Sequence, residues 1–264
     1  MEKAIEYFAI FGGLDDKIDT NIELIELIKK LILDKYKILH PFITKITHSN
    51  NIYHSVLSAI ALGDGRIHSV LKRAKISRDE GKNSIDFLLK TGLIRAESSK
   101  TNAFFEENQA DDKLFFTLSF MRFWFAFISP IYKGIAQGNY EEFEERFKNR
   151  ADEFSELTFE QLSLEIAKKS LEGVKEASPF WNKDIQLSID IKLSTNQRAI
   201  GITKYSKQKM KKDSLTKLQN FAKELHIKNP IFILVSKNGF SSELKALKGE
   251  DIKLFSIKDF KNLC

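Results

Sequence analysis

Apolar residues recur at three- and four-residue spacing through the first 50 positions, where Ile22, Leu24, Ile25, Leu27, Ile28, Leu31 and Ile32 oppose Lys29, Lys30 and Asp34. That spacing predicts a helix, with Thr20 or Asn21 as its cap. A break is expected at His40-Pro41, and the polar THSNN closes a segment read as a packing or dimerisation element. From 53 to 118 the pattern is that of a winged helix-turn-helix. YHSVLSAIAL ends at Gly63, RIHSVLKRAK is short and amphipathic, and Ser77 with Glu80 forms a capping box at the start of a third helix. Gly92 stands where a left-handed cap ends that helix. LIRAES and KLFFTLS then pair across a polar tip as the wing.

Beyond Ser119 the pattern changes twice. SFMRFWFAFISPIY is apolar on every side, and its Phe123, Trp124, Phe127 and Ile128 are expected to pack between two domains. A charged helix, NYEEFEERFKNRADEF, follows. After 150 the period alternates: a helix TFEQLSLEIAKKSLE capped by Thr158, a strand near VKEASPFW, strands IQLSIDIKL and RAIGITKYS, and a helix from about Asp213 to His226. IFILVS, apolar up to its last residue, has the composition of a central buried strand. SSELKALK, DIKLFS and IKDFKNL complete the order as helix, strand and helix. The fold class is α+β or α/β: an N-terminal helical segment (1–50), a winged helix-turn-helix (51–118), a helical connector (119–150), and a mixed β-sheet flanked by helices (151–264).

Charge sharpens this division. Residues 1–150 hold 22 Lys and Arg against 21 Asp and Glu, whereas 151–264 hold 20 against 15. Within 185–223 nine basic residues face two acidic ones. A polyanionic partner, DNA above all, is the natural reading. Lys204, Lys207, Lys209, Lys211, Lys212 and Lys217 supply that charge. In the winged helix, Arg78, Lys82 and Asn83 open the third helix, which in such folds enters the major groove, and Arg73 and Lys75 stand in the preceding turn. Asp79 and Glu80 oppose a phosphate there, and Gly81 weakens the helix by about 1 kcal/mol.

The single cysteine, Cys264, excludes an internal disulfide framework and a cysteine-rich zinc site, and suits a reducing cytoplasm. MEKAIEYFAIFGGLDDK does not read as a signal peptide, and no window has the apolar length of a membrane span. Five dispersed histidines form no ligand or catalytic pattern. One spacing does suggest chemistry: Asp190-x11-Ile202-x-Lys204 is that of a metal-dependent nuclease site with isoleucine where an acid is expected.

Several short strings in one order carry a family resemblance: FGG at 11–13, KTGLI after the third helix, FMRFWFAFISP at 120–130, TFEQL at 158–162, Trp181, IDI at 189–191 and GITKY at 201–205. Over residues 8–264 the chain resembles the C-terminal region that follows the ATPase core in archaeal-type DEXX-box ATPases. The family's corresponding run is Trp…Glu-Ile-Asp…Gly-Glu-x-Lys-Trp, and its last domain is similar to the PD-(D/E)XK nuclease fold. The resemblance implies Asp190 as first metal ligand, Lys204 as the lysine that orients water, and Glu160 as the helix glutamate completing the site, with Mg²⁺ or Mn²⁺ as the cation. The departures are Ile202 for the acid, Ser188 for the acid two before Asp190, and Tyr205 for the tryptophan. No G-x-x-x-x-G-K-[ST] sequence is present, so ATP binding is not implied.

Three functional expectations follow. The first is a bacterial, cytoplasmic DNA-binding protein with a degenerate nuclease-like domain, no cofactor, and an ion pair between Asp190 and Lys204 surviving from an ancestral site. The second is a Mg²⁺-dependent endonuclease using Asp190, Lys204 and a migrated acid, drawn from Glu160, Glu165 or Asp213. The third is a non-enzymatic partner of a separately encoded ATPase, with self-association compatible with all three.

Overall fold

The computed structural model describes residues 2–98, 112–181 and 186–263. The tip of the expected wing, the first residue of the expected strand at Ile185, and Cys264 lie outside them. The described residues divide into two compact units, 3–98 with 112–155, and 156–181 with 186–263. No helix among them is long and apolar enough to cross a membrane.

The first unit is helical. It runs α1 (Glu2–Phe11), α2 (Leu24–Ile28) continuing as a π turn to Leu33, α3 (Tyr36–Ile46), α4 (Asn51–Ala61), α5 (Ile67–Ala74) and α6 (Arg78–Lys90). A hairpin of β1 (Ile94–Glu97) and β2 (Lys113–Phe116) follows, then α7 (Ser119–Phe123), a π turn through Ile128 and α8 (Tyr132–Ala136). Neither Thr20 nor Asn21 caps α2; Glu23 occupies the cap position without a side-chain bond. The expected break at His40-Pro41 does not occur, because α3 runs through it and the interruption falls at Asp34–Lys35 instead. Burial overrides the local preference against proline: Tyr36 and Ile43 lie in the core, and Tyr36 stacks on Trp124 at 5.7 Å between centroids.

The winged-helix order is present as expected. Asn50 caps α4 by accepting from the backbones of Ile52 and Tyr53, and Ser77 and Glu80 form both halves of the capping box on α6. β1 and β2 pair antiparallel, Ile94 opposite Phe116 and Glu97 opposite Lys113. Arg66 adds a bridge on the other edge of β2. Gly81, costly to α6 on propensity alone, has a packing reason. A Cβ there would come within 2.2 Å of the Leu71 side chain, so glycine sets how closely α5 approaches α6.

The aromatic stretch is core to this unit and does not lie between two domains. Phe123, Trp124, Phe125, Phe127 and Ile128 are buried together with Phe143, Phe147 and Phe154. Phe123 meets all three of those rings edge-on. Arg122 ties this packing together. It donates through Nη1 to the Phe154 carbonyl at 2.8 Å and lies 4.0 Å over the Phe154 ring. Burial brings its guanidinium down to about 10, still charged at neutral pH. The expected 119–150 connector is therefore part of the first unit.

Thr158 caps nothing. α9 is one helix from Glu141 to Lys169, because its 29 residues contain neither Gly nor Pro and consist mostly of strong helix formers. The two units divide within it, between Ser155 and Glu156.

The second unit is the expected mixed sheet. Its strands, β3 (Val174–Trp181), β4 (Gln186–Leu193), β5 (Arg198–Lys204), β6 (Ile231–Ser236) and β7 (Ile252–Ser256), lie in that spatial order. β3–β4 and β4–β5 are antiparallel; β5–β6 and β6–β7 are parallel. The parallel pairs need crossovers, supplied by α10 (Lys212–Glu224) and by α11 (Ser242–Ala246). Leu215, Leu218, Phe221 and Ala222 of α10 pack on Ile200, Phe232 and Leu234. Phe159 of α9 is buried against Phe260, whose segment Ile257–Leu263 is a 3-10 helix.

Gly201 is constrained by this sheet. A Cβ would stand 2.3 Å from the Ile233 carbonyl oxygen, and backbone cannot move aside as a side chain can. Gly201→Ala is expected to destabilise the protein by about 2 kcal/mol. Gly249→Ala, with open space around it, is the control and should change little. Urea denaturation of the two variants checks this.

Candidate nucleic-acid interface

Asp190 and Arg198 face each other across the β4–β5 hairpin. Asp190 lies opposite Ile200 and Lys192 opposite Arg198, which makes Asp190 and Arg198 diagonal neighbours on one face. Arg198 grips the carboxylate with both prongs, Nε to Oδ1 and Nη2 to Oδ2, each 2.6 Å. The side chains are only 11% and 10% exposed. In so dry a setting each charge depends on the other, and short bidentate geometry is the form that compensates.

This pairing corrects the expected one between Asp190 and Lys204. Lys204 stands four residues beyond the partner of Asp190, about 13 Å along an extended strand. Its Nζ donates to the Lys209 carbonyl at 3.3 Å. Asp190 is likewise committed: both carboxylate oxygens are taken by a cation. The even spacing from Asp190 to Arg198 across a short turn was the available signal for their meeting.

The expected third member, Glu160 on α9, is brought to a different neighbour. Ser188 Oγ donates to Glu160 Oε1 at 3.4 Å and shares a hydrogen bond with Thr203 Oγ1 at 3.0 Å. Ile202, in the acid position, is partly buried against the α10 core. Glu165 is exposed and paired with Lys168, and Asp213 is exposed in the first turn of α10. A hard divalent cation needs several oxygen ligands, carboxylates foremost. Among the described residues no group of three or more His, Cys, Asp or Glu could hold one. The side chains at the expected site do not fit Mg²⁺ or Mn²⁺.

The lysines between β5 and α10, in contrast, face solvent. Lys207, Lys209, Lys211, Lys212 and Lys217 are all exposed. The segment joining β5 to α10 is fastened at its centre by Met210, fully buried, whose N–H donates to Gly239 and whose carbonyl accepts from Ser241, both at 2.9 Å. Alternation then directs Lys209 and Lys211 outward on either side. Asn238 fixes the same segment by donating to the Ser206 carbonyl at 3.1 Å. Lys211 caps α10 without a side-chain bond, so the positive end of the helix dipole lies among the lysines. Lys212 pairs with Glu243 at 3.2 Å, whereas among the described residues no acid pairs with Lys207, Lys209 or Lys211. Lys237, which no sequence signal picked out, lies 4.0 Å over the Tyr205 ring at the same end of the sheet.

The winged-helix candidates are arranged differently. Arg78, Lys82 and Asn83 are exposed on α6, but Asp79, Glu80 and Asp86 are exposed on the same helix. Lys75 is exposed in a left-handed cap at φ 56°. Arg73 turns back and donates through Nη1 to the Leu62 carbonyl at 2.7 Å. These residues belong to the first unit, and the lysine edge to the second.

Asp190→Ala and Arg198→Ala are each expected to cost about 3 kcal/mol, since each leaves a desolvated charge alone. The double variant should lose at least about 1.5 kcal/mol less than the sum. A double-mutant cycle by urea denaturation measures this; strict additivity would show that the pair does not act as a unit.

A family model described as archaeal and bacterial proteins of unknown function, DUF234, matches residues 124–216. The match runs from the buried aromatic turn at Trp124 through α9 and the first three strands of the sheet into α10. It includes Asp190, Arg198 and the lysines from 204 to 212. No curated protein and no solved structure matches the chain.

Proposed function

We propose that this chain is a DNA-binding protein whose α/β unit holds the phosphate backbone and does not cut it. The observation that carries the reading is the basic edge from Lys204 to Lys217, built on a segment anchored by buried Met210 and ending at an uncapped helix N-terminus. Lysines in such an arrangement neutralise phosphates as point charges, which positions a duplex without reading its sequence. The diverged strand pair supports the second half of the proposal. With Asp190 held by Arg198, Ile202 packed against the α10 core and Ser188 bonded to Glu160, the nuclease-like pattern serves as scaffold. The winged helix of the other unit adds exposed Arg78, Lys82 and Asn83 as further contacts.

Fluorescence anisotropy with a labelled duplex, titrated over a range of salt, tests this. Replacing Lys207, Lys209, Lys211 and Lys212 by Ala should weaken binding at least about tenfold and flatten the plot of log K against log salt by about 3 to 4 units. Unchanged affinity and slope would overturn it. Incubation of DNA with Mg²⁺ or Mn²⁺ should give no cleavage; metal-dependent cleavage abolished by Glu160→Gln would establish the nuclease reading instead.

A further inference from the structure

The outer face of α3 is apolar and bare. Ile38, Phe42 and Ile46 follow one another at four-residue spacing and are 63%, 63% and 40% exposed. They form one stripe about 12 Å long. Tyr132, 46% exposed, widens it, held alongside by stacking on His40 at 6.5 Å. The opposite face of α3 is well packed through Tyr36 and Ile43, so the helix is fixed in place and does not expose this stripe by loosening. A phenylalanine and a tyrosine beside isoleucines on a rigid helix have the composition of an interface centre.

The charge around the stripe selects the partner. Lys37 and Lys45 flank it, both exposed, and α3 contains no Asp or Glu. Asp34, just before the helix, accepts from Tyr140 Oη at 3.0 Å. A second copy of α3 would bring four lysines to one seam with no acid from either helix. We propose that this face docks an amphipathic helix of a partner protein, its apolar stripe laid along Ile38, Phe42 and Ile46 and its acidic rim meeting Lys37 and Lys45. The surface lies in the first unit and is independent of the lysine edge.

The probe is a fluorescein-labelled synthetic helix of about 18 residues, leucines along one face and glutamates flanking them, paired with a counterpart carrying lysines for the glutamates. The full chain should bind the glutamate peptide at least about tenfold more tightly than the lysine peptide. Phe42→Ser should weaken it at least about tenfold while leaving duplex DNA affinity and the thermal midpoint unchanged. Lys37→Glu with Lys45→Glu should reverse the preference. No binding of the glutamate peptide, equal binding of both peptides, or indifference to Phe42→Ser would overturn the proposal. So would a concentration-dependent dimer abolished by Phe42→Ser, which assigns the face to a second copy. Phe42-dependent sedimentation with phosphatidylserine vesicles, without peptide binding, would assign it to a membrane.

Discussion

A charge taken out of water needs a partner, and the Asp190–Arg198 pair meets that demand within a single hairpin. The pair joins two adjacent strands on the face where the resemblance placed a metal ligand. It changes the chemistry of the position without changing its residue. A carboxylate accepting two short bonds from a guanidinium is already neutralised and oriented, and a cation would have to displace Arg198 to use it. The neighbouring positions are consistent with that. Ile202 packs against the α10 core, and Ser188 and Thr203 share a hydrogen bond beside Glu160.

Local chemistry was readable where a residue acts on its own backbone. Ser77 with Glu80, Gly92 and the five apolar residues of β6 behave as their types dictate, because capping, left-handed φ and full burial are decided within a few residues. Long-range packing was not readable in the same way. His40-Pro41 looks like a break, yet Tyr36 and Ile43 find Trp124 and the core around it, and the helix continues. Thr158 looks like a cap, yet nothing in the preceding residues stops the helix it would begin.

The candidate site residues divide along the same line. The lysine cluster could be seen in the charge tally, since exposed charge needs no partner to be recognised. The fate of Asp190 could not, since it depends on strand register: a shift of one residue would turn Arg198 to the other face and leave Asp190 without it. Gly81 shows the converse. Its cost to helix propensity is visible along the chain, and the Leu71 side chain that requires it becomes visible only once α5 and α6 are packed.

Met210 has a consequence for the thermodynamics of anything that docks beside it. Loops that bind polyanions often become ordered only on contact, and that ordering reduces affinity. Here the segment between β5 and α10 is already fixed by a buried thioether side chain and by backbone bonds to Gly239 and Ser241. The conformational entropy of its backbone is lost when the sheet folds, before any ligand arrives. A polyanion held at this edge would therefore meet no ordering cost from this segment and would draw its binding free energy mainly from released counterions.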